Sequence, residues 1–179
     1  MNDEGASSSA AATPTDAGIC PRFFPISLRK LVIMSICTLG FYEIYWFFCH
    51  WLYIRDYERS RLSPGWRAMF PMIFCFPLFL RIRRAARSLG LPVSVAAGPL
   101  TIGWFAFLLT GTLPPPFLLL TFCSVLFLLP AQRAANAVNA ATDPDHDPNS
   151  TFTVLNKVVV VIGGLMFVIT VIGAFLLPK

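Results

Sequence analysis

Five long apolar runs, at 31–54, 66–80, 93–113, 117–129 and 158–177, take up most of the chain beyond residue 30 and constrain it more than any other feature. An α-helix rises about 1.5 Å per residue and a bilayer's hydrocarbon core is about 30 Å thick, so roughly 20 apolar residues make one crossing. The first, third and fifth runs meet that length. The fourth is short as written, but Pro114, Pro115 and Pro116 stand where a helix can begin. It reads as 114–131, with a kink at Pro130 and a helical pattern continuing to 141, so that its end leaves the membrane. The second is short and carries Pro71 and Pro77, which leaves it either a crossing or a re-entrant or interfacial segment. The expected fold class is all-α: a multi-pass transmembrane bundle over 23–179 with five helices, the alternative being four plus one segment that does not cross.

Composition agrees with that expectation. Of the 179 residues 56% are hydrophobic and 13% charged, and the mean hydropathy is +0.67. A water-exposed globule of this size needs more polar surface than that. The net charge of +5 does not point to nucleic acid, because most basic residues stand within a few positions of an apolar run and so read as orientation signals. The five cysteines form no C-x-x-C pair and four lie inside apolar runs, as buried inert thiols do. Residues 1–18 are small and polar, a disordered tail that continues to about 22. Asp3 and Glu4 precede an apolar stretch that begins only at 31, unlike a secretory signal, so the first segment is expected to remain attached.

Counting Lys and Arg gives the orientation. Five crossings put the tail, Arg81–Arg87, Arg133 and Lys157 on one side, with Arg55, Arg59, Arg61, Arg67 and Lys179 on the other. If the second run does not cross, residues 55–87 join Arg133 and Lys157, and the tail changes side. Both counts place the loops near 81–92 and 132–157 in the cytoplasm and the C-terminus outside.

Glu43 stands mid-way along the first run, where an ionisable group costs at least about 2.5–3.5 kcal/mol and needs a compensating partner. His50 follows two helical turns later on the same face. The pair suits either a proton or cation relay or, more simply, a Glu held neutral or bonded to Tyr, Thr or Arg of a neighbouring helix; a break at Gly40 would instead move Glu43 towards the interface. Tyr42, Tyr45, Trp46, Trp51 and Tyr53 read as a headgroup-level aromatic belt. Arg81, Arg83, Arg84 and Arg87 read as topology control with anionic-lipid contact as a consequence.

The loop at 143–149 alternates acidic and amide oxygens as a calcium loop begins, but Pro148 and Val154 break the pattern, leaving a polar turn region within electrostatic reach of the arginines. Gln132, Asn136 and Asn139 make a polar stripe, read as a solvated helix face or the lining of a polar cavity. Small residues at Ser94 and Gly98, and at Gly163, Thr170 and Ala174, permit close helix packing. No enzyme motif, metal site or cofactor signature stands out.

The stretch 23–27 (Phe-Phe-Pro-Ile-Ser), the run Thr38-Leu39-Gly40-Phe41-Tyr42-Glu43-Ile44-Tyr45-Trp46, and Ser63-Pro64-Gly65-Trp66 resemble uncharacterised bacterial inner-membrane proteins. Gln132-Arg133-Ala134-Ala135-Asn136 and Ile162-Gly163-Gly164 are similar to the same group, which implies a helical multi-pass protein of a bacterial cytoplasmic membrane and brings no activity or site. The functional expectation is a non-enzymatic scaffold or regulatory membrane component contacting lipid. The alternative is a small transporter or channel subunit using Glu43 and His50, which would need to self-associate as a homo-oligomer to enclose a pore.

Overall fold

The first apolar run does not form one helix. In the computed structural model, which describes residues 21–176, it is divided into α1 (Leu28–Cys37) and α2 (Phe41–Tyr57). The break falls at Leu39 and Gly40, both left-handed (φ 53° and 90°), a conformation that glycine adopts without steric cost. Thr38 finishes one helix and starts the next, its hydroxyl donating to the Met34 carbonyl (2.8 Å) and accepting from the Tyr42 amide (2.8 Å). The chain turns back on itself here. A continuous helix would hold residues 24 and 45 about 30 Å apart, whereas the Phe24 and Tyr45 rings are 6.1 Å apart.

The second run is likewise divided, at Phe70, into α3 (Pro64–Met69) and α4 (Pro71–Ser88). Pro71 occupies the first turn of α4, where its missing N–H costs nothing, and Pro77 lies inside that helix. The third run gives α5 (Ala97–Leu109), prolonged by a 3₁₀ turn at Thr110–Thr112. A 3₁₀ stretch, Phe117–Ser124, then leads directly into α6 (Val125–Thr142) through Pro130. The last run is α7 (Val154–Leu176). Among the described residues the fold is all-helical, with no strand.

These turns gather the charges at one end. Arg81 of α4 donates to Glu58 beyond α2 (2.6 Å), and Arg22 stacks 5.2 Å over Tyr57. Arg67 and Arg81 both lie over the Trp51 ring, at 4.5 and 5.8 Å. The basic count for five crossings, which separates Arg55–Arg67 from Arg81–Arg87 by a membrane, is therefore corrected. So is the count for four, because the α1–α2 hairpin returns Arg22 to the same end as both groups. The opposite end carries the turns at 38–40, 69–71 and 110–117, without a charged residue. The tail expected over 1–22 lies outside the described residues except for its last two.

Two helices are long and apolar enough to cross a membrane, Phe117–Thr142 and Val154–Leu176, and the apolar stretch Ala97–Thr112 is shorter. The core between the hairpins is dominated by Phe23, Trp46, Phe47, Trp51 and Phe79, all fully buried. By contrast α7 buries no residue completely although almost every side chain on it is apolar. It is tied to the body through α1 and through an edge-on contact of Phe167 with Phe122 at 4.9 Å. A Cβ at Gly163 would land on the Cys37 carbonyl oxygen, whereas Gly164 beside it faces open space. Gly163→Leu is accordingly expected to separate α7 from α1 and lower stability by about 1–3 kcal/mol, with Gly164→Leu near neutral. Denaturant unfolding in detergent micelles reads the difference.

Candidate functional site

Two buried polar clusters lie along the inner face of α2. At the first, near the uncharged end, Glu43 is only 4% exposed. Its carboxylate accepts from Trp104 Nε1 of α5 (2.6 Å to Oε2) and from the Ser124 hydroxyl (2.8 Å to Oε1). The partners are thus an indole and a serine, not the Tyr, Thr or Arg expected, and the break at Gly40 leaves the carboxylate enclosed by neighbouring helices. Local sequence explains the convergence: the turn at Gly40 makes Glu43 the third residue of a helix, and the α5 to α6 hairpin brings Trp104 and Ser124 to that level.

The second cluster is built on α6. Gln132 accepts at Oε1 from Trp46 Nε1 (2.6 Å), with His50 Nε2 3.0 Å from the same oxygen. Its Nε2 donates to the Phe24 carbonyl (3.1 Å) and to Asn136 Oδ1 (2.7 Å). Asn136 donates to the Ile26 carbonyl (2.8 Å), and Asn139 exchanges two bonds with the Phe23 backbone (3.0 and 2.7 Å). The stripe read as a solvated face or cavity lining is instead a ladder of amides holding an irregular buried segment, a correction with a plain cause. Residues 23–26 are buried and have no helical or sheet partner, so their backbone groups require side chains. The i, i+4 and i, i+7 spacing of Gln132, Asn136 and Asn139 puts three amides on one face of α6.

Glu43 and His50 do share a face, as their spacing requires, yet they belong to different clusters. Among the described residues no hydrogen bond connects the two, so a relay lacks a bonded route. His50 is fully buried among the rings of Phe23, Phe24 and Trp46, with Nδ1 unpartnered.

The aromatic belt is also corrected. Trp46 and Trp51 are entirely buried and Tyr42 nearly so, packed among helices, while Tyr45 is exposed. In the arginine group Arg81 is committed to Glu58, whereas Arg84 and Arg87 are exposed. The 143–149 loop meets α1 and not the arginines. Asn149 accepts from Lys30 Nζ (2.7 Å) and donates to the Pro25 carbonyl (3.1 Å), and Lys30 also bonds the Thr151 carbonyl (2.8 Å). Burial pushes the Lys30 ammonium below the usual lysine range, partly opposed by Asp147. Among the described residues no group of His, Cys, Asp and Glu is arranged to hold a metal.

Trp104, Ser124 and Ser35 escaped the sequence reading because each is a lone polar atom in an apolar run. The signal was there in principle, since each must find a partner once buried. No family model, curated protein or solved structure matches the chain.

The ladder can be tested by removing one rung. Asn139→Ala strands both Phe23 backbone groups and is expected to cost about 2 kcal/mol. Tryptic cleavage at Arg22 and Arg29 should then accelerate by more than about tenfold, while Ala140→Ser, on the exposed side of the same turn, leaves the digestion rate unchanged.

Proposed function

We propose that the protein is a non-enzymatic component of a bacterial cytoplasmic membrane, a scaffold or regulator that enters the bilayer from one face and acts through helix packing and lipid contact. The observation that carries this is the segregation of charge. Among the described residues Arg22, Arg55–Arg61 and Arg81–Arg87 gather at one end, whereas the turns at 38–40, 69–71 and 110–117 at the other carry no charged residue. That uncharged end hides its polar groups. Thr38, Thr110 and Thr112 each donate to a carbonyl one turn back, and Pro114, Pro115 and Pro116 bring no N–H. In hydrocarbon such internal satisfaction is obligatory, and in water it is superfluous.

Exposed apolar side chains surround this end, with Phe41 72% and Met69 71% exposed, and α7 is apolar on all sides. A surface of that kind needs lipid or protein against it. In this arrangement α1–α2, α3–α4 and α5–α6 enter as hairpins and α7 crosses. The charged end lies in the cytoplasm, where Arg84 and Arg87, with Arg83 beside them, meet anionic headgroups at about 1 kcal/mol per charge.

Single cysteines at Ser60 and Ser150, in a background free of native thiols, are expected to react with an impermeant maleimide from the same, cytoplasmic side. A five-crossing bundle requires opposite sides, so labelling of Ser60 from outside and Ser150 from inside would overturn the arrangement. Release of the chain from membranes by alkaline carbonate would overturn the membrane assignment itself.

A further inference from the structure

The Glu43 cluster borders a cavity of about 350 Å³, within the range of small-molecule sites. Glu43, Trp104 and Ser124 form its polar wall, and Met69, Met72 and Leu108 are among its apolar ones. Its rim includes Phe41, Ile44, Met69 and Met72, all exposed, so the mouth opens on the apolar flank of the molecule and not at the charged end. Ser35 of α1 also lines it. That hydroxyl has no partner within the protein although the residue is only 2% exposed, so it is a buried polar group of the wall free to bond a ligand.

Charge narrows the ligand's chemistry. The ion pairs among the described residues are Arg55–Asp56 and Arg81–Glu58, so no basic side chain compensates Glu43. Two donors leave each carboxylate oxygen with capacity for a further bond, and a buried carboxylate without a counter-charge is costly. An organic ammonium supplies both the charge and the donors, and the Trp104 and Ser124 bonds hold the carboxylate in place to receive it. The Ser35 hydroxyl accepts one further N–H, and the methionine-rich walls accommodate a flexible hydrocarbon chain.

We propose that this cavity is a binding site for a lipophilic ammonium, an amine carrying an apolar chain, that reaches Glu43 through the apolar flank. The site rests on the membrane reading only for the route of entry, since its polar wall and volume are properties of the fold. The test uses the full chain in an uncharged detergent, titrated calorimetrically with octylammonium and octanoate below their micellar concentrations and with octanol below its solubility limit. Octylammonium is expected to bind saturably at one site, about tenfold or more tighter than octanol, with octanoate not binding.

Glu43→Gln should weaken octylammonium by about tenfold or more and bring it level with octanol. Equal affinity for octylammonium and octanol in the native chain, or unchanged affinity in Glu43→Gln, would overturn the proposal. If that variant fails to fold, Met72→Trp decides, because it fills the mouth without touching the carboxylate. Loss of octylammonium binding in Met72→Trp supports the site and retention refutes it. A chain that stays monodisperse without detergent yet binds octylammonium would defeat the membrane reading alone. One labelled as expected in membranes but blind to the amine would defeat only this inference.

Discussion

The buried backbone of residues 23–26 is the constraint on which the arrangement depends. An irregular segment inside a helical body has no regular partner for its amides and carbonyls, and each one left bare costs about 1–3 kcal/mol. Gln132, Asn136 and Asn139 supply what is missing, and in doing so fix α6 against the entry to α1. Since Gln132 also bonds Trp46 and faces His50, α2 is registered to the same ladder. One helix face thereby sets the position of two other elements. Networks of this kind specify a single arrangement because any slip leaves several polar atoms unsatisfied together.

From that registration follows the one-sidedness of the molecule. With Phe23 and Phe24 held beside the latter half of α2, α1 must run back along it, and the turn at Thr38–Gly40 is the consequence. The same up-and-back pattern recurs at Phe70 and at the proline-rich turn after α5. The turns at 38–40, 69–71 and 110–117, all uncharged, then fall at one end, and the charged connection after α2 falls at the other with Arg81–Arg87. In a chain of successive crossings the connections themselves alternate between the two sides of a membrane. Here the hairpins bring Arg22, Arg55–Arg61 and Arg81–Arg87 together at one end of the molecule, and the Arg81–Glu58 bond is the direct sign of it.

Glu43 fits this arrangement as a buried charge three residues beyond the uncharged turn at Gly40. Its two donors come from α5 and from the 3₁₀ stretch ahead of α6, so the carboxylate ties three hairpin limbs together where apolar packing alone would allow them to slide. The same three limbs frame the neighbouring cavity. A tie of this sort and a ligand site share their requirements, namely a desolvated acceptor and walls that do not collapse.

Much of this was legible in the residues themselves. Periodicity and apolar length determined that the chain is helical, and Glu43 and His50 had to share a helix face because their spacing leaves no other geometry. The small residue at Gly163 announced a close approach, later seen at Cys37. The partners were beyond reach. That Glu43 would meet Trp104 and Ser124, that the amide stripe would face a buried backbone segment and not water, and that the run at 31–54 would fold back at Gly40 all depend on contacts between residues tens of positions apart. An apolar run records how well a segment tolerates burial but not which neighbour buries it. Only the packed hairpins decided that, because hydrogen bonds, unlike apolar contacts, are satisfied at one register and lost at the next.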